Sequence, residues 1–341
     1  MAVRMPVYFH PEFLKHRQTG YHPERPERLV RIMGLHDELK LGAEVKQAGP
    51  ATDEQLLRVH EGSYLDMLRD FGEGPYDPDT YIRPETFGIA RLAAGAGISA
   101  ARDTVGARRS NIVLARPPGH HSGRNYAGGF CYLNNVAIAA RALQAEDGVD
   151  RVAILDFDVH HGNGTSDVFY RDPHFLYVST HQWGIYPGTG LAEADGEGPG
   201  AGFNVNIPFL QGMGDATFKD AMDRIVRPIV TQFDPGAVLV SLGGDAHYAD
   251  PLGGLTLSSK AFVETYLVAH ELARDLGVGG ATYFLEGGYN IDALAEVVWG
   301  VHEGFSGRTV PYRFNDVADA ERMGTSIVDR VVQVHSKHWK L

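Results

Sequence analysis

The sequence predicts an α/β protein in which a central parallel β-sheet is flanked by helices. Three observations carry that prediction. Four short, continuously apolar runs bounded by Gly and Pro suit strands buried on both faces. Helix-like segments lie between them, so strands and helices alternate as in βαβ units. Each apolar run leads directly into a glycine-containing turn loaded with ionisable side chains. In open parallel sheets, ligands sit beyond the carboxyl ends of the strands, and all four clusters fall there.

The elements follow in chain order. GEGPYDPDTYIRPE (72–85) is turn-rich and precedes an Ala-rich helix, TFGIARLAAGAGISAARD (86–103). NIVLA (111–115) reads as a strand and runs into RPPGHH. NNVAIAARALQ (134–144) is a helix with Asn134 placed as its N-cap. VAIL (152–155) is the next strand and runs into DFDVHHGNG. YPGTGLAEADGEGPGAG (186–202) holds too much glycine for regular structure; it and 72–85 are candidate rims of a pocket, or plain solvated loops. AVLVSL (237–242) leads into GGDAH, and ATYFL (281–285) leads into EGGYN. Between these two strands, Ser258 or Ser259 caps a helix over 261–276.

Composition narrows the function classes. The 341 residues carry 31 Lys+Arg against 43 Asp+Glu, a formal charge of −12, which argues against a general nucleic-acid binder because phosphate binding needs clustered cations. The single cysteine, Cys131, excludes a disulfide framework and any Cys-rich zinc module. The N-terminal segment has no apolar targeting core, and no run of ~18 apolar residues occurs, so a cytoplasmic protein without membrane association is expected. Sixteen histidines invite a search for metal or proton chemistry.

That search converges on a few positions. Asp156, Asp158 and His160 alternate at period two, which in a strand would place them on one face. Two close buried carboxylates are costly without a cation. An Asp and a His from this run plus Asp245 of GGDAH would give three ligands and an open position, the arrangement of catalytic zinc. The bland alternative is that these side chains only start a helix or brace a loop. His120 and His121 are presented by a Pro-Pro-Gly turn and suit proton transfer. Tyr289, after two glycines, is placed to swing over a substrate and donate to a developing oxyanion, although a buried core tyrosine would look the same.

Together, RPPGHH, GGFCYLNNVAIAA, LDFDVHHGNGT, YVSTH, YPGTG, GGDAHYADPLGG and LEGGYN resemble, in order, the zinc-dependent histone deacetylase family. With HPERPERL (22–29), the resemblance spans about residues 10–300. It implies a single-domain arginase/deacetylase-like fold with the active site at the C-terminal strand ends. It also implies one Zn2+ per chain on Asp158, His160 and Asp245. His121 would be the general base and then acid, His120 would stabilise charge while paired with Asp156, and Tyr289 would polarise the scissile carbonyl. Asn163 stands where one branch of the family has Asp, which places the chain nearer the class II and bacterial branch and leaves His121 a less charged partner. Gly129 and Phe130 match the tunnel wall, with Tyr186 or a neighbour opposite and Leu252 at the inner rim. Asp79 lies where some members hold the substrate backbone, with a solvated carboxylate as the alternative. Arg28 matches a basic residue near an internal acetate channel. A structural potassium would sit on Asp156 and Ser179, with carbonyls of Asp158, His160 and Thr180.

The implied activity is removal of acetyl groups from acetyl-lysine or a related acetylated amine. Leu252 stands where polyamine-selective members carry an acid, which weakens the acetylpolyamine alternative. Glu193, Asp195 and Glu197 would favour it if they face the pocket rather than serving solubility. A binuclear manganese ureohydrolase using Asp245, His247 and Asp250, and a non-catalytic binding module, complete the alternatives. Because these groups must meet in one pocket, residues 1–341 are expected to form one catalytic domain. Its motifs lie within about 10–302, and 303–341 is an extension packed on it or trailing. Monomer and homodimer both remain open.

Overall fold

In the computed structural model, residues 5–315 and 322–341 are described. Eight parallel strands form one sheet in the order β2-β1-β5-β10-β9-β6-β7-β8. They are β1 (Pro6–Tyr8), β2 (Glu44–Lys46), β5 (Asn111–Val113), β6 (Val152–Asp156), β7 (Phe175–Gln182), β8 (Asn204–Phe209), β9 (Ala237–Leu242) and β10 (Ala281–Leu285). The four central strands, β5, β10, β9 and β6, are buried along their whole length. That is why their sequences are continuous apolar runs rather than alternating ones.

The helices are α1 (Glu27–Leu39), α2 (Asp53–Leu57), α3 (Gly62–Asp70), α4 (Thr86–Ala107), α5 (Asn135–Asp147), α6 (Asn163–Phe169), α7 (Asp215–Ala221), α8 (Arg227–Phe233), α9 (Ser259–Asp275), α10 (Ile291–Gly304) and α11 (Thr325–His335). α4 and α5 pack together and over the sheet; α9 packs on β9 and β10 and against α10, which in turn packs on α1. The expected caps are in place: Asn134 accepts from the Ala137 amide at 3.0 Å and Ser258 from the Ala261 amide at 3.2 Å. α4 runs one turn past the expected end at 103. Tertiary contacts hold that turn, since the buried Thr104 Oγ1 accepts from Asn111 at 2.8 Å and Thr282 at 2.7 Å.

The turn-rich segment 72–85 is less irregular than its composition suggests. It holds a short antiparallel hairpin of β3 (Gly74–Pro75) and β4 (Tyr81–Ile82), closed by Asp79 N–H donating to Asp77 Oδ1 at 2.8 Å. Loop 186–202 has only one 3₁₀ turn, Gly198–Gly200. Its acids pair with cations and do not line the cavity that holds His120 and His121: Glu193 pairs with Arg330 at 2.7 Å, Asp195 with Lys337 at 2.7 Å, and Glu197 with Arg171 at 2.6 Å. The described part of the C-terminal extension packs on the protein, with α11 against β8 and the Trp339 indole donating to Gly202 O at 2.9 Å. No helix among the described residues is long and apolar enough to cross a membrane.

Candidate active site

β6 and β9 are neighbours, so the segments that follow them emerge side by side. β6 ends at Asp156, and Asp158 and His160 lie beyond it in a bend. Their convergence is therefore set by the loop and not by the strand pleat that their period-two spacing suggested. His160 Nδ1 lies 3.2 Å from Asp158 Oδ1 and 3.2 Å from Asp245 Oδ2. Among the described residues this is the one group of three or more His, Cys, Asp or Glu whose donor atoms all approach within 4.8 Å.

The triad fits a cation. Asp245 Oδ2 is buried and makes no well-aligned hydrogen bond, His160 Nδ1 approaching it without the geometry of one, and protein interiors rarely leave such an atom unsatisfied. Burial pulls the His160 imidazole down, yet Asp158 and Asp245 outweigh it and push its pKa up to about 10, so the pocket is short of positive charge. Gly287 lets the chain pass close by: a Cβ there would stand 2.1 Å from Asp245 Oδ2. Its N–H instead donates to Asp158 Oδ2 at 2.8 Å. One imidazole and two carboxylates are a donor set that suits zinc.

The tandem histidines have opposite surroundings. His120 Nδ1 meets Asp156 Oδ2 at 3.0 Å; burial lowers the imidazole, but the charges of Asp156 and Asp158 prevail and raise it to about 10. His121 Nδ1 meets the amide oxygen of Asn163 at 2.8 Å. Burial and the neighbouring His120 charge hold His121 well below its ordinary value, so it is neutral at pH 7. An amide oxygen only accepts, so the proton sits on Nδ1 and Nε2 keeps its lone pair.

Tyr289 is carried by the turn after β10. Burial and the Asp245 charge push its phenol well above 10, so it stays a donor. Asp250 fixes this turn, accepting from the Tyr289 amide at 2.6 Å and the Asn290 amide at 3.0 Å. Asp250 and His247 do not form a second metal set: His247 is engaged by Ser259 Oγ at 3.1 Å and the Ala249 amide at 3.0 Å.

His120, His121, His160 and Tyr289 line a cavity of about 530 Å³, within the usual range for small-molecule sites. Gly129, Phe130, Tyr186 and Leu252 also line it, and Tyr186 and Leu252 are 46% and 40% exposed. Gly129 and Phe130 have φ of 53° and 70° and form a two-residue reversal between Gly128 and Cys131. Left-handed backbone is unusual for Phe and here turns its ring towards Tyr289, with ring centroids 5.9 Å apart. The exposed Asp79 also lines this cavity. Ser179 is the register partner of Asp156 on β7, with its hydroxyl on His181 Nδ1 at 2.9 Å. Cys131 is fully buried, and burial pushes its thiol up, so it packs rather than reacts.

Several residues behind the site gave less signal in the sequence. Glu286 Oε2 accepts the amides of Gly119 (2.7 Å) and His120 (3.2 Å), tying the histidine turn to the tyrosine turn. It stood inside LEGGYN, where a charge directly after a buried strand was the available clue. Buried Glu24 joins Arg116, which precedes the histidine turn, to Arg28. Arg28 in turn donates to the carbonyls of Glu286 and Gly288 and lies 5.1 Å from the Tyr289 ring centroid.

Fold and site together define a hydrolase of the parallel α/β type built around a candidate metal triad. The histone deacetylase domain family matches residues 22–305, and the chain belongs to that family. It is similar to a probable deacetylase of Archaeoglobus fulgidus, 37% identical over 98% of both chains. It is 41% identical to a histone deacetylase-like amidohydrolase of Pseudomonas aeruginosa over 79% of this chain and 73% of that one. The crystal structure of the HDA15 HD domain superposes with a TM-score of 0.88 at 32% identity, covering 98% of this chain and 97% of that one.

Proposed function

We propose that the protein is a zinc-dependent deacetylase that hydrolyses the acetyl amide of acetyl-lysine or a related acetylated amine and releases acetate. The observation that carries this is the meeting of a neutral His121, a charged His120 and the Tyr289 phenol around the Asp158–His160–Asp245 triad at the base of one cavity. Those three ligands would hold one zinc ion per chain, whose chemistry there is Lewis-acid polarisation of the amide carbonyl and acidification of water. His121 Nε2 takes the proton of the attacking water. Tyr289 donates to the carbonyl oxygen as negative charge grows there. His120, kept charged by Asp156, stabilises the same negative charge. Protonated His121 then gives its proton to the departing amine.

Gly129, Phe130, Tyr186 and Leu252 would hold the acyl-amine chain, with Asp79 at its outer end. A neutral Leu252 at the rim supports acetyl-lysine over a polycationic acetylpolyamine, whereas Asp79 favours the latter. A structural potassium at Asp156 and Ser179 rests on the resemblance alone. The acidic balance supports a substrate other than nucleic acid, and the single, buried cysteine suits a reducing cytoplasm.

Chelation should abolish turnover and zinc should restore it. Tyr289→Phe should lower kcat by ~10²–10³ with zinc content unchanged, as loss of an oxyanion donor does. Near-normal turnover in that variant removes the role given to Tyr289. Comparing kcat/KM for an acetyl-lysine peptide, acetylputrescine and acetylspermidine on one zinc-loaded preparation decides the substrate class. A ~10²-fold preference corresponds to about 2.7 kcal/mol of transition-state discrimination.

A further inference from the structure

His121 can take a proton only through Nε2, so its other nitrogen must keep a hydrogen. That depends on which end of the Asn163 amide faces it. The oxygen accepts from Nδ1–H and leaves Nε2 free; the amide NH2, if turned inwards, would donate to Nδ1 and force the proton onto Nε2. Asn163 alone does not choose between the two ends.

Two residues outside the cavity make the choice. Asn163 Nδ2 donates to the Tyr126 hydroxyl oxygen at 3.1 Å. The Tyr126 hydroxyl itself donates to Asp167 Oδ2. An ionised carboxylate only accepts, so the Tyr126 proton is committed to Asp167 and its oxygen must receive. The Asn163 NH2 is therefore drawn to Tyr126, and its oxygen is left for His121, 2.8 Å away. Asn163 and Asp167 are four residues apart on α6, so both lie on one side of that helix, where Tyr126 spans them. The Tyr126 ring also has a fitted seat: a Cβ on Gly123 would stand 2.2 Å from it.

We propose that Tyr126 and Asp167 are positioning residues that fix the orientation of the Asn163 amide and so hold His121 in the tautomer able to act as a base. The proposal rests on the deacetylase reading above. Neither residue touches the substrate cavity, and the effect passes through Asn163.

The test uses the symmetry of a carboxylate. In the zinc-loaded enzyme, Tyr126→Phe keeps the ring but removes the oxygen that receives the amide, and kcat should fall roughly tenfold with KM within about twofold. In an Asn163→Asp background both ends of the side chain accept, so adding Tyr126→Phe should change kcat less than about twofold. The nitrogen-15 shifts of the His121 ring, assigned by their absence in His121→Ala, should move towards the Nε2–H pattern in Tyr126→Phe only when Asn163 is present. An equal fall in both backgrounds, or unchanged kcat and ring shifts in Tyr126→Phe alone, overturns the proposal. An inactive wild-type enzyme on every acetylated amine overturns the deacetylase reading instead, while the ring shifts still decide the tautomer.

Discussion

Two adjacent histidines show how little residue identity says about protonation. His120 faces the Asp156 carboxylate and stays charged, while His121 faces an uncharged amide and stays neutral. Splitting a pair of titratable groups in this way is how acid and base roles are divided at one pH. Glu286 fixes the backbone that presents them. Replacing it by Met would leave the Gly119 and His120 amides buried without an acceptor, at about 1–3 kcal/mol each. Urea unfolding of Glu286→Met should show a loss of about 2–6 kcal/mol, whereas Glu286→Gln, which keeps an acceptor, should lose less than half as much.

Among the elements, α5 links the core to the site through its cap. Asn134 caps the helix and also donates to Ser122 O at 3.0 Å and Thr165 Oγ1 at 3.1 Å. One side chain thus ties the start of α5 to the histidine turn and to α6, which carries Asn163. Asn134→Ala should cost about 1–3 kcal/mol, the cap contributing roughly 1 of it. A midpoint in denaturant within experimental error of wild type would show that α5 holds without this cap. On the far edge, α11 and the segment after it pair with Glu193 and Asp195 of loop 186–202, and Tyr186, Leu252 and Asp79 line the cavity instead.

On the scale of the whole molecule, the buried charges behind the site make stability depend on pH. Burial opposes ionisation of Glu24, but its contacts with Arg116 prevail and hold its pKa down to about 2. That lies below the ~4.3 of an unfolded Glu. Ionised Glu24 therefore stabilises the fold fully above that unfolded value, and its contribution disappears as the pH falls towards 2. Unfolding free energy measured from pH 7 to 3 should drop for the wild type. Glu24→Gln should be less stable at pH 7, by about 3–5 kcal/mol as expected when a buried ion pair loses one partner, and should lose less on acidification.

The sequence by itself determined the parallel sheet, the order of its loaded turns, the Asn134 cap and most of the residues that line one pocket. Those are local quantities: hydrophobic runs, capping side chains and glycines act over a few residues, and the strand-end rule turns them into a location. Tertiary structure decided the rest. Whether Glu193 and Asp195 reach the cavity depended on α11 and the segment after it, more than 120 residues away in sequence. Which histidine is charged depended on partners 36 and 42 residues distant. Hydrogen-bond direction and burial are properties of the packed neighbourhood, and no pattern along the chain encodes them. For that reason the candidate metal triad was legible in the sequence, whereas the contacts of Tyr126, Asp167, Glu286 and Glu24 emerged only once the chain was folded.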